Sequence, residues 1–330
     1  MIIPPSLVSA LENIYISPFE TCNLHCRLCY TKKSPAGLSN SQILNFVNSY
    51  SRYLENNFED TFFDGLQRVS IDQPKKSVSR NITLKSIIFC GGEVFLRSSF
   101  PSLINRLNNQ NIFITIITNG TIDKLTKIKQ PSACQLLVSL DGPQEIHDQN
   151  RGSGNFDKTI SFIRHALQLG FPTEIMFLVT PDSYPYSASF SNYLSVSFGL
   201  PLLRLNYITL KSGNFINGHP LCQTAHTGPS LTSHQIIDLK KNYSSLPPKD
   251  FGCFQLALQS NGLIYGCCES PYPLGSMNDN PQIYINNLFK ALKPCLGCGQ
   301  CRGCCAPDFL CGYLRELQAP DCQNAVKLFH

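Results

Sequence analysis

Three cysteines stand at C-x3-C-x2-C spacing in Glu20-Thr21-Cys22-Asn23-Leu24-His25-Cys26-Arg27-Leu28-Cys29-Tyr30, just after an apolar run from Asn13 to Phe19. Three thiolates from one short loop can hold three irons of a 4Fe–4S cube and leave the fourth iron open to a substrate or cofactor. The same spacing also suits a zinc loop, or three unconnected buried thiols. Further polar groups follow other apolar runs: Gly91-Gly92-Glu93, Thr118-Asn119-Gly120, and Ser139-Leu140-Asp141-Gly142-Pro143 with His147, Asp148 and Arg151 beyond it. Glycines let a backbone approach a ligand closely, Glu93 offers an acceptor for an ammonium group, and Arg151 can pair a carboxylate in fork geometry. For Asn119, Asp141 and His147, turn and cap hydrogen bonds are as plausible as ligand contact.

The elements that must position these groups follow from periodicity. Short apolar runs at Asn13–Phe19, Leu84–Cys90, Ile112–Thr118, Gln135–Leu140, Thr173–Val179 and Leu203–Tyr207 read as six strands. Helical spacing recurs between them. Ile43, Leu44, Phe46, Val47, Tyr50 and Leu54 follow a Ser or Asn cap within Leu38–Gln42, and further helices are expected at Phe100–Asn109, Ile122–Ile128, Asn155–Leu169 and Ser187–Phe198. Near-continuous apolar strands alternating with helices predict an α/β fold with a parallel sheet. Six units fall short of the eight of a closed barrel, so a partial (β/α)6 barrel is expected, with every polar group above at a strand's C-terminal end. Phe58–Ile82 is polar and irregular and reads as an insertion.

Bulk composition narrows the classes. The chain has 330 residues, 42% hydrophobic and 15% charged, which is globular rather than disordered. A net charge of +5 with scattered Lys and Arg makes no nucleic-acid stripe. No run approaches the roughly 20 apolar residues of a membrane helix, and Met1–Ala10 has no signal-peptide pattern, so a cytoplasmic protein without membrane or nucleic-acid partners is expected. The outlier is sixteen cysteines, ten of them between Cys253 and Cys322 and several in C-x2-C runs. In a long chain this favours metal or cluster ligation over disulfides. After about residue 210 Gly, Pro and Cys dominate, so the chain divides into a barrel, residues 1–210, and a Cys-rich, irregular domain, residues 211–330, held together by clusters or metals.

Taken together, the Cys22/Cys26/Cys29 loop, Gly91-Gly92-Glu93 and the stretch from Val138 through His147, Asp148, Arg151 and Phe156 resemble the radical S-adenosylmethionine superfamily. The resemblance runs from about Ile14 to Cys322 and is to the subgroup with a C-terminal SPASM domain, which includes anaerobic sulfatase-maturing enzymes and ribosomal-peptide maturases. It implies that Cys22, Cys26 and Cys29 hold a catalytic 4Fe–4S cluster whose open iron chelates S-adenosylmethionine. Gly91, Gly92 and Glu93 would meet the methionine amino group, Ser139 the ribose or methionine side, and Arg151 the carboxylate, with Tyr30 and Asn119 also at the cofactor.

In the tail, Cys253, then Gly262, then Cys267, together with Cys295-x2-Cys298-x5-Cys304, are similar to the SPASM pattern. Cys311 stands near, but not at, that family's next position. The likeness implies one auxiliary cluster on Cys295, Cys298, Cys304 and Cys322. A second would lie on Cys253, Cys267 and Cys311, with Cys222 as a candidate fourth ligand. Cys268, Cys301 and Cys305 are surplus, and a four-thiolate zinc site is the rival for this tail. Cys90 and Cys134 are expected in the core.

The expected activity is reductive cleavage of S-adenosylmethionine to a 5′-deoxyadenosyl radical that oxidatively modifies a peptide or protein, with a flavodoxin- or ferredoxin-type electron donor. A formylglycine-generating sulfatase maturase is the alternative. It is weakened because Cys268 stands where that family commonly has an Asp, leaving Glu269 or Tyr265 as the candidate base. A non-catalytic iron–sulfur or zinc scaffold is the alternative of another class. A leader peptide, if one is recognised, is expected to meet the 58–82 insertion, the tail or a separate binding protein.

Overall fold

The six apolar runs pair as parallel neighbours in chain order, in a computed structural model of the protein. The structure describes residues 11–29, 37–63, 77–198, 205–209, 256–266 and 273–296, with positions 231, 232, 234, 235 and 238. The strands are β1 (Asn13–Ile16), β4 (Ser86–Phe89), β5 (Phe113–Thr118), β6 (Cys134–Ser139), β7 (Thr173–Val179) and β8 (Leu205–Thr209). Sequential parallel strands with crossovers between them are the architecture of an open α/β barrel, as the sequence predicts.

The register explains how the sheet is packed. Ile14, Ile87, Ile114 and Cys134 lie side by side across four strands and are essentially fully buried. The next row of that face, Ile16, Phe89, Ile116 and Leu136, is buried as completely. The opposite face carries Tyr15 beside Ile88, Ile117 beside Leu137, and Ser139 beside Met176, all half-buried. The strands are therefore apolar on both sides but sealed on one, and the half-open face leads to the strand ends that hold the candidate site.

Helix α1 (Asn40–Asn57) begins where the capping pattern places it: Ser39 Oγ accepts from Gln42 N at 3.2 Å, and Ser39 N donates to Gln42 Oε1 at 2.9 Å. All six residues predicted for its apolar face are buried, each contributing on the order of 1.5–3 kcal/mol for a fully buried large side chain. Helix α2 (Phe100–Asn108) has its proline in the first turn, as expected. Between β6 and β7 come α3 (Gln144–Arg151) and α4 (Asn155–Gln168), and α5 (Ser187–Phe198) follows β7.

Three expectations need correction. The helix expected at Ile122–Ile128 is only a single 3-10 turn, Leu125–Lys127, with Asp123 Oδ1 accepting from Leu125 N. Residues 144–151 form α3, a helix that no apolar periodicity predicts. The 58–82 insertion is framed by an antiparallel pair, β2 (Glu59–Phe63) and β3 (Ser77–Asn81).

The tail is also less irregular than expected. Strands β9 (Ala257–Leu258), β10 (Leu263–Tyr265) and β11 (Pro273–Ser276) extend the barrel sheet beyond β1, with Tyr15 opposite Ala257 in parallel pairing. Helix α6 (Pro281–Leu296) then packs on α1, with Tyr284 against Tyr50 and Phe289 against Phe58. This part of the tail shares the barrel's core. Among the described residues no helix is long and apolar enough to cross a membrane.

Candidate active site

The loop after β1 brings Cys22, Cys26 and Cys29 to the C-terminal end of the barrel as half-buried thiols. The sulfurs are near enough to feel one another. Burial pushes the Cys26 thiol up, Arg151 pulls it down, and Cys29 and Cys22 push it up again. Among the described residues no three His, Cys, Asp or Glu side chains converge on a point that could hold one metal ion. A zinc ion needs such convergence, at about 2.3 Å from each sulfur. A 4Fe–4S cube spreads its ligands over separate corners, so three accessible thiols on one loop fit it better.

Two neighbouring strand ends and one helix fix the loop. From β4, Cys90 N donates to Ile16 O, Gly92 N to Phe19 O and Glu93 N to Thr21 O. The two glycines permit this approach. A Cβ on Gly92 would lie 2.0 Å from Thr21 O, and one on Gly91, whose φ is +112°, would lie 2.5 Å from Phe19 O. Gly91 and Gly92 thus lie against the backbone that enters the cysteine loop.

From β5, Asn119 Nδ2 donates to Asn23 Oδ1 at 3.0 Å and reaches Cys22 Sγ at 3.8 Å, while Asn23 Nδ2 donates to Thr121 Oγ1 at 2.8 Å. Leu24 N also donates to Cys22 Sγ, at 3.4 Å. Donors aimed at a ligating sulfur stabilise its negative charge and are among the groups that set a cluster's potential. From α3, Arg27 N and Leu28 N both donate to Asn150.

Glu93 has no exposed surface. Its carboxylate accepts from Phe95 N, from Thr118 Oγ1 and, at 2.8 Å, from Asn119 N. Burial pushes its carboxyl up and these donors pull it back. In this structure the Glu93 carboxylate ties the end of β4 to the end of β5.

Arg151 likewise has a carboxylate partner within the chain. Its Nε and Nη2 donate to Asp141 Oδ2 and Oδ1 at 2.6 and 3.0 Å. Burial works to lower the guanidinium pKa, but Asp141 by charge and hydrogen bond, then Cys26 and Cys29, raise it. Ser139 is half-buried at the end of β6, beside Met176. Cys134 is in the core as expected, with its thiol pushed up to about 12 by burial. Cys90 is only half-buried, because it lies just past β4 at the open end of the barrel.

His147, in the first turns of α3, bonds back to the turn before the helix. Its Nδ1 accepts from Asp141 N at 3.2 Å, its ring meets Phe156 edge-on, and Nε2 has no hydrogen-bond partner among the described residues. Burial, opposed by Asp141, pushes it down to about 4. Its unfolded value is near 6.5. The stability it contributes is therefore complete above that pH and is lost as the pH falls toward 4, by at most about 3 kcal/mol. A His147→Gln variant is expected to show a flatter fall in melting temperature across that interval. Parallel profiles for variant and wild type would contradict a neutral, buried imidazole.

Tyr30, Glu269, Cys222, Cys253, Cys267, Cys298, Cys304, Cys311 and Cys322 lie outside the described residues, as do Cys268, Cys301 and Cys305. Of Cys295 only the backbone, near the end of α6, is described. Tyr265 is buried in β10, and Asn261 Nδ2 donates to its hydroxyl. The sequence reading missed Asn150. The signal available for it was its position three residues after His147 and one before Arg151, on one face of any helix following Asp141-Gly142-Pro143.

The family model for the Radical SAM superfamily matches residues 16–184, from the end of β1 to just past β7. The chain belongs to that superfamily, whose members carry a 4Fe–4S cluster and use S-adenosylmethionine. Over 101 residues it is 30% identical to the Fe-coproporphyrin III synthase of Methanosarcina barkeri, a match covering 29% of this chain and only 25% of that relative's length. Two similar solved structures share the fold at low identity. Native anSMEcpe with bound AdoMet and Cp18Cys peptide is 18% identical, with a TM-score of 0.62 over 96% of this chain and 95% of that one. Streptococcus suis SuiB bound to precursor peptide SuiA is 14% identical, with a TM-score of 0.58 over 89% and 70%.

Proposed function

We propose that this protein is a cytoplasmic radical S-adenosylmethionine enzyme that oxidatively modifies a peptide or protein, with Cys22, Cys26 and Cys29 as the ligands of its catalytic cluster. The observation that carries the reading is the loop itself: three half-buried thiols at the mouth of a partial barrel, on a loop held by hydrogen bonds from β4, β5 and α3. When bound, the cluster and S-adenosylmethionine supply reductive cleavage of the sulfonium to a 5′-deoxyadenosyl radical. The chain's own residues position and insulate. Asn119 and Leu24 place donors on the Cys22 sulfur, and Asp141 keeps Arg151 beside Cys26 and Cys29. The half-buried face of Tyr15, Ile88, Ile117, Leu137 and Met176 offers an apolar approach to the site. Such a surface shelters a reactive species from water.

A peptide substrate is supported by the likeness of the whole fold to two proteins solved with peptides bound. Formylglycine formation is the second reading. In this proposal residues 211–330 form a SPASM-like domain in which Cys253, Cys267, Cys295, Cys298, Cys304, Cys311 and Cys322 hold auxiliary clusters, with a flavodoxin- or ferredoxin-type electron donor.

The test is anaerobic reconstitution, reduction and addition of S-adenosylmethionine, followed by assay of 5′-deoxyadenosine. Formation of that product, together with a candidate peptide losing the mass of two hydrogens, is the expected result. A fully loaded protein that cleaves no S-adenosylmethionine would instead be an iron–sulfur scaffold.

A further inference from the structure

We propose that Asn150 is a positioning residue for the cluster, fixing the turn between Cys26 and Cys29. The inference rests on the assignment of that loop as the cluster site. The two residues between these cysteines are Arg27 and Leu28, and both of their backbone N–H groups end on Asn150. Arg27 N donates to the Asn150 main-chain carbonyl at 2.8 Å, and Leu28 N donates to its side-chain Oδ1 at 2.9 Å. The turn is closed by Cys29 N donating to Cys26 O at 3.2 Å.

The position of Asn150 in α3 explains why one residue can do this. It is next to last in the helix, and the last carbonyls of a helix have no partner within it. The main-chain oxygen is therefore free to accept from the loop. The side chain is buried, and its orientation is set on the other side, where Nδ2 donates to Asp141 Oδ2 at 2.6 Å. A carboxylate only accepts, so the amide nitrogen must face Asp141 and the amide oxygen must face Leu28. Asp141 in turn holds Arg151 by two hydrogen bonds. One carboxylate thus fixes both the residue that shapes the turn and the charge that faces its two thiols.

Asn108 supplies a control. It is also buried and hydrogen-bonded, to Ile112 O and to the Cys134 thiol, but it lies away from the loop. The experiment uses full-length protein, reconstituted anaerobically, as wild type, Asn150→Ala, Asn150→Asp, Asn108→Ala and a Cys22/Cys26/Cys29 triple-alanine variant. The readouts are melting temperature, the electron paramagnetic resonance signal of the reduced cluster that shifts on adding S-adenosylmethionine, and its rate of loss to an iron chelator. Asn150→Ala is expected to lose that cluster about tenfold faster, the equivalent of one lost buried hydrogen bond, and to show altered g-values. Asn150→Asp keeps the acceptor for Leu28 N but sets a carboxylate against Asp141, so it is expected to alter the g-values with a smaller change in loss rate. It also serves if the alanine variant does not fold. Asn108→Ala is expected to melt earlier with an unchanged signal. If both Asn150 variants behave as Asn108→Ala does, Asn150 is only structural and the proposal fails. If the triple-alanine variant keeps the S-adenosylmethionine-responsive signal, the assignment of the loop fails instead.

Discussion

A Cys26→Ala variant is expected to form 5′-deoxyadenosine at no more than about one-thousandth of the wild-type rate, because a cube held by two thiolates from this loop has lost a corner. The expectation follows from where Cys26 lies. Burial, Arg151, Cys29 and Cys22 all act on its sulfur. A thiolate there is costly without a cation, and Arg151 supplies part of the compensation before any iron is bound. Anaerobic product assay and iron analysis check it. Wild-type cleavage by the Cys26→Ala protein would mean that the radical is generated elsewhere in the chain.

The second large effect is steric. Gly92→Ala is expected to destabilise the protein by about 3 kcal/mol or more, as overpacking against an unyielding neighbour does, and to reduce cluster content as well. The added methyl would meet only backbone: Thr21 O at 2.0 Å, Thr21 C at 2.5 Å and Glu20 C at 2.7 Å. No side-chain rotation relieves this. The cysteine loop must move away, breaking the hydrogen bonds from Gly92 N to Phe19 O and from Glu93 N to Thr21 O. Gly154→Ala is the comparison. It has nothing within 4 Å, and its φ of +76° carries only the ordinary left-handed strain of about 1–2 kcal/mol. Melting curves of the two variants should differ clearly. A Gly92→Ala protein as stable as Gly154→Ala would show that the turn after β4 does not press on the loop.

The parallel sheet was legible because its strands are apolar on both faces, and a run such as Phe113–Thr118 declares itself without its neighbours. The cysteine loop was legible because ligand spacing is local. Helix α3 was not. Its eight residues include one aliphatic side chain, Ile146, so no helical apolar stripe exists to be read. What holds it is polar: His147 on the Asp141 amide, Asn150 and Arg151 on the Asp141 carboxylate. Partners so distributed are seen only once the turn is folded. Strands β9 to β11 escaped notice for a related reason. They have two, three and four residues, and their strand character comes from docking at the edge of β1 rather than from propensity. Glu93 shows the converse. Its place after β4 was visible, but not that three donors from its own chain would occupy its oxygens.

The pairing of β1 with β9 sets an order of events in biosynthesis. Tyr15 lies opposite Ile88 on one side and Ala257 on the other, so the strand that delivers the cysteine loop gains its second partner only after most of the chain has left the ribosome. Contacts of such sequence separation form late and slow the overall reaction. Until then Ser17 and Glu20, which receive support from Leu258 and Ser260, lack that support. A chain cut before residue 256 is expected to leave the edge of β1 that pairs with β9 open beside the cysteine loop, the kind of unpaired edge on which other chains can add.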